Sequence, residues 1–128
     1  MVSVPVCDAA LKEINKKLLE FKYIALDSSD TPYATSQSAP INELTANGAA
    51  RSAATVSHDS ETGVVTMSKQ FVFTGPAAVK AICPMNNATP GQGIGLYRYL
   101  PEPGLLPAQF EAGGSLLVTI ECRMSRPA

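Results

Sequence analysis

The chain has 128 residues, a length that sets one domain spanning residues 1–128 as the expectation. Its net charge of −1 gives no electrostatic footing for nucleic acid or for an anionic membrane surface. Charged residues make up 16% and hydrophobic ones 45%, against a usual charged share of about 25%, so another chain is expected to cover part of the surface.

The opening MVSVPVCDAALKEI lacks a basic stretch before a long apolar run and does not read as a secretory signal. No apolar run approaches the ~20 residues of a membrane span. Residues 7–21 read as an amphipathic helix with Cys7, Leu11, Ile14, Leu18 and Phe21 on one stripe. Pro5 marks its entry, Asp8 suits the positive end of the helix dipole, and Glu13 can pair with Lys17. The helix is expected to pack on the core.

Residues 22–27 read as a strand with Ile24 and Leu26 on one side, and a polar loop runs from Ser28 to Pro40. In the stretch 41–51, Asn42 could cap a short helical turn that Asn47-Gly48 would stop. Strands at 53–58 and 64–73 form a hairpin about the turn Asp59–Gly63. Val65, Met67, Phe71 and Phe73 share its apolar face, and Lys69 interrupts that face, which points to an edge or an interface there. A strand at 77–83 is expected to stop at Pro84. Turn residues fill 86–93, and 94–100 alternates again, with Tyr97 and Tyr99 opposite Leu96, Arg98 and Leu100.

The loop 101–114 carries Leu105, Leu106 and Phe110, which are costly to leave in water at ~25 cal/mol per Å². They either cap the core or face a neighbouring copy. The last strand, 115–125, puts Leu116, Val118, Ile120, Cys122 and Met124 on one face, and a paired or central position is expected for it. The sum is a mainly β (α+β) fold: an antiparallel β-sandwich with one N-terminal amphipathic helix packed on it.

Little of the sequence points to a chemistry. Cys7, Cys83 and Cys122 have no metal-ligand spacing and read as small buried apolar residues, a single disulfide being the alternative. Gly91–Gly95 lacks the helix and the Lys-Ser/Thr pair of a phosphate loop. His58-Asp59 has no nucleophile in a recognisable setting, and Asp27, Asp30 and Asp59 have no cation-loop spacing. No catalytic residue, metal ligand or cofactor site is assigned. Tyr97 and Tyr99 fit a core rim or interface, or, with the 86–93 loop, a glycan-binding module. The interface candidates are Leu105, Leu106, Phe110, Tyr97 and Tyr99.

The order of elements carries a resemblance. Ile24-Ala25-Leu26, Asn42-Glu43-Leu44, Arg51 and Gly113-Gly114-Ser115-Leu116-Leu117 follow one another as in the tail-collar fibre family of tailed bacteriophages and its short virion relatives, which the chain resembles along most of its length. Asp27-Ser28-Ser29 replaces the glycine pair of that family, and the spacing from Leu44 to Arg51 is longer. The resemblance implies a non-enzymatic virion component, a tail or collar fibre or a capsid-surface decoration protein. It implies synthesis in the host cytoplasm, self-association (a trimer being common in the family), and docking on capsid, neck or tail proteins.

Overall fold

The computed structural model describes residues 8–32, 34 and 39–123, the Lys12 side chain excepted. Cys7, Pro5, Met124 and Ser125, and with them parts of the expected helix, stripe and last strand, lie outside the described residues. The helix α1 spans Asp8–Lys17 and tightens into a 3-10 turn at Leu18–Glu20. Six strands follow: β1 Tyr23–Asp27, β2 Ser52–Ala53, β3 Thr55–His58, β4 Val65–Val72, β5 Ala81–Met85 and β6 Ser115–Cys122. They form two antiparallel three-stranded sheets, ordered β2-β1-β5 and β3-β4-β6. The expected mainly β architecture with one N-terminal helix is the observed one.

One apolar core serves both sheets. Ile24, Leu26 and Ile82 from the first meet Val65, Met67, Phe71, Val118 and Ile120 from the second, and Leu18 joins them from the 3-10 turn. The alternation read along 64–73 therefore faces the core as expected, with Val65, Met67, Phe71 and Phe73 all buried. β2 and β3 are nearly one strand. Ala54 between them donates its N–H to Lys22 O (2.7 Å), and the chain crosses there from the first sheet to the second.

The hairpin turn is built as its residues suggest. Asp59 Oδ1 accepts from the N–H groups of Glu61 (2.9 Å) and Thr62 (3.2 Å), and Gly63 takes φ 78°. Lys69 sits where pairing ends on one side: β3 reaches only to Ser68, and from Lys69 to Val72 β4 pairs with β6 alone. The sheet has an edge at that point, as the interruption of the apolar face suggested.

Several expectations are corrected. Ile14 is exposed, while Asn15 is buried and donates to Leu11 O at 3.0 Å, so the inward side of the helix runs through half-buried Leu11 to buried Asn15 and Leu18. The helix exit carries the ion pair Lys17–Glu20 at 3.6 Å (i, i+3). No helical turn forms over 41–51; Glu43 instead bridges Asp27, and Asn47 and Gly48 turn the chain with positive φ. Gly48 has no substitute, because a Cβ there would run into Val72 O.

The expected strand 77–83 is shifted to 81–85 and contains Pro84. Ile82 exchanges both main-chain bonds with Tyr99, and Pro84 O accepts from Leu96 N (2.8 Å) on the same side. The N–H that proline lacks therefore faces the irregular 94–99 segment and not β1, so no ladder bond to β1 is lost. Residues 94–100 form no strand: they touch β5 only at the bridges Met85–Gly95 and Ile82–Tyr99.

β1 and β5 are buried at almost every position, so the first sheet takes its charged residues inside in pairs. Asp27 is fully buried and accepts from Ser29 N (3.0 Å), Ile41 N (2.9 Å), Asn42 N (2.9 Å) and Arg98 Nε (2.9 Å). Arg98 also donates to the carbonyls of Ser29 and Thr31. Burial alone would raise the Asp27 carboxyl, but the arginine and the three main-chain N–H groups together hold it below its ordinary value. Arg51 forks onto Glu43 (2.9 and 2.6 Å) and donates to the carbonyls of Asn87 (2.9 Å) and Gln92 (2.8 Å). The two arginines thus fix the loops on either side of the first sheet.

Candidate functional site: the edge of β6

The loop before β6 sets its register. Gly114 N donates to Glu111 O (2.9 Å), and Gly113 takes φ 88°, the geometry of a type II turn. Gly113 N then donates to Phe73 O and Phe73 N to Gly114 O, both at 2.8 Å. That is a G1 bulge, whose first residue needs the left-handed backbone that glycine adopts freely. Past the bulge, Val72 faces Ser115 and Phe71 faces Leu116.

Bonds in an antiparallel ladder alternate, so the bonded pairs are Phe71–Leu116, Lys69–Val118, Met67–Ile120 and Val65–Cys122. The main-chain groups of Leu117, Thr119 and Glu121 consequently point away from β4. Among the described residues no strand pairs with that side of β6. Of the central or paired position expected, the paired one is observed: β6 pairs with β4 along its whole length and, among the described residues, lies at the edge of its sheet.

A groove of about 520 Å³ runs along this edge. Leu116–Glu121 form one wall; Ile82, Tyr97, Tyr99, Pro101, Leu105 and Leu106 form the other. Four of the five interface candidates, Tyr97, Tyr99, Leu105 and Leu106, meet here although they come from two separate stretches of loop. Leu105 is 64% exposed, Tyr99 46% and Leu117 64%, whereas Tyr97 and Leu106 are half-buried and packed against the core. Burial pushes the Tyr97 hydroxyl up to about 12. Glu121 is the one charged residue in the lining.

The fifth candidate, Phe110, belongs elsewhere. Its ring stacks on Phe73 with centroids 4.6 Å apart, and its main chain exchanges two bonds with Ala77 (2.8 and 2.9 Å). Phe110 packs against the core while staying half-buried, the capping alternative of the two read for this loop. Leu117 is the groove residue that sequence reasoning missed. It stands on the solvent face of β6 with Thr119 and Glu121, and an apolar side chain on a polar face was the available signal. Val72, 58% exposed, is its diagonal neighbour on β4.

The other candidate chemistries are not drawn together. His58 lies on β3 opposite Val65, and its Nε2 is shielded without a hydrogen-bond partner. The Asp59 carboxylate is engaged by its own turn, whose main-chain N–H groups hold it below its ordinary value. Among the described residues no group of three or more His, Cys, Asp or Glu could hold a metal ion. Cys83 is buried and Cys122 half-buried, both as free thiols; burial, with Asp27 adding, pushes Cys83 up to about 12. The 86–93 loop is pinned by Arg51 and contributes nothing to the groove of Tyr97 and Tyr99, so the two parts of the glycan-site expectation lie apart. No helix among the described residues is long and apolar enough to cross a membrane. Comparison with family models, curated proteins and solved structures returned no match for this chain.

Proposed function

We propose that the chain is a non-enzymatic structural component of a tailed-phage virion, a tail or collar fibre or a capsid-surface decoration protein. It acts by self-association and by docking on other virion proteins. The observation that supports a contact function is the groove beside β6: a strand edge left unpaired among the described residues and flanked by exposed leucines, with one charge in its lining. Natural proteins protect such edges with charge, proline or cover, and Ser115–Cys122 holds neither lysine nor proline. The virion assignment rests on the resemblance in element order described above.

The test pairs Leu105→Asp with Leu117→Asp in one variant. Both side chains are exposed, so the variant folds. The wild-type chain is expected to co-sediment with phage particles, and the variant not to. A wild-type chain that stays at its single-chain mass of 13.4 kDa and ignores phage capsids and tails overturns the reading.

A further inference from the structure

The two sheets are unequal in width. Counting outward from the crossing at Ala54, the first layer holds β2, β1, β5 and then the 94–99 segment, bridged to β5 at Met85–Gly95 and Ile82–Tyr99. The second layer holds β3, β4 and β6, and among the described residues it stops there. The groove is the missing fourth place of the second layer: Tyr97 and Tyr99 are its floor and β6 its side. It runs beside Leu116–Glu121, six residues that extend about 20 Å at ~3.3 Å per residue.

From these observations we infer that the groove holds one added strand from a partner protein, an extended segment with apolar residues facing inward and a lysine or arginine beside Glu121. The inference rests on the reading of the chain as an assembly subunit and adds the chemistry of its partner. Strand addition gains main-chain bonds from the edge and specificity from alternate side chains. The bonds would come from Leu117, Thr119 and Glu121, whose main-chain groups point into the gap. Residues of the added strand that bond these three share their solvent-facing side, so those positions are polar. The residues between them face Tyr97, Leu106, Val118 and Ile120, so those are apolar. The charge requirement follows from the lining, in which Glu121 stands alone. A cation across from it completes a cross-strand pair, and a carboxylate there is repelled.

A second copy of the whole sandwich does not fit the gap. A second copy that paired its β6 here would have to bring its own first layer against the wall of Tyr99, Pro101 and Leu105 that closes the groove on the side away from β6. The occupant is therefore a lone strand or arm.

The probe is the capped hexapeptide Lys-Val-Thr-Val-Thr-Val, which in antiparallel register sets its lysine opposite Glu121. It is titrated into the isotope-labelled full chain and followed by NMR. The expected result is saturable shifts at the amides of Leu117, Thr119 and Glu121 and at Tyr97 and Leu106. The analogue starting with glutamate should bind about fivefold more weakly. Thr119→Pro, which removes an outward N–H and spares the ladder to β4, should stay folded and lose binding.

Shifts elsewhere, no binding at millimolar peptide, equal binding of the two peptides, or retained binding in folded Thr119→Pro overturns the inference. So does protection of these three amides in the free chain: if it depends on concentration the occupant is a second copy, and if not, the chain covers its own edge. The assembly reading fails separately, in a chain that binds the peptide but neither self-associates nor meets phage particles.

Discussion

The two sheets have the same number of strands and are finished in opposite ways. In the first, β1 and β5 lie inside, β5 is covered by the 94–99 segment, and the charges that close it, Asp27 with Arg98 and Glu43 with Arg51, are paired and turned inward. In the second, among the described residues, β6 ends the sheet with open main-chain groups and exposed Leu117. Buried ion pairs seldom add net stability, since desolvation offsets the attraction. Here they hold the main chain of Ser29, Thr31, Ile41 and Asn42, and of Asn87 and Gln92, in place. The closed sheet thus makes the loop framework rigid, and the open sheet carries the surface left for contact.

The sharpest way to break this contrast is at Asp27. Removing one partner of a buried pair leaves a charge uncompensated, so Asp27→Ala or Arg98→Ala should cost about 3–5 kcal/mol, much of the ~5–15 kcal/mol a domain holds. Urea denaturation measures it. The same site sets the acid response. The folded-state carboxyl of Asp27 lies below its ordinary value of 3.8, so its contribution is complete above that value and is lost as pH falls through the lower, folded one. Asp27→Asn should remove that part of the acid dependence; an unchanged acid transition would count against the pairing.

Phe110→Ala comes next, at about 3 kcal/mol, the lower end for an aromatic truncation because the ring is half-buried. By contrast Leu105→Asp in the same loop should change stability by no more than about 0.5 kcal/mol. Thermal melts of the two variants separate the core-capping residue from the contact residue.

On β6 itself the contrast narrows to one position. Val118→Pro deletes an N–H bonded to β4 and should cost about 1–3 kcal/mol. Thr119→Pro, its neighbour, should cost under about 1 kcal/mol, since edge strands accept proline where the N–H faces solvent. Equal costs at the two positions would mean that the ladder parity is wrong.

Much of the fold was legible because one property, alternation, carries both strand identity and facing. It marked 64–73 and 115–125 and put Val65, Met67, Phe71, Val118 and Ile120 in the core. It failed at 94–100, where the pattern is present but main-chain bonds to the 82–86 stretch form only at Ile94, Leu96 and Tyr99. Proline misled at position 84, because its effect depends on which side of the strand lacks a donor, and that is a fact of pairing. Ile14 and Asn15 exchanged roles for a similar reason: asparagine buries once the helix backbone accepts its amide hydrogen. The Asp27–Arg98 pair joins residues 71 apart and leaves no local trace. The contact surface was half legible. Exposed leucine in a loop is a visible signal, but that Tyr99, Leu105 and Leu117 line one groove depends on how the two sheets stack.

Amide hydrogen exchange on the free, dilute chain tests the open edge most directly. Leu116, Val118, Ile120 and Cys122, bonded to β4, should exchange slowly, and Leu117, Thr119 and Glu121 should exchange orders of magnitude faster. Uniform protection from Leu116 to Cys122 would show the edge already covered and would contradict the account.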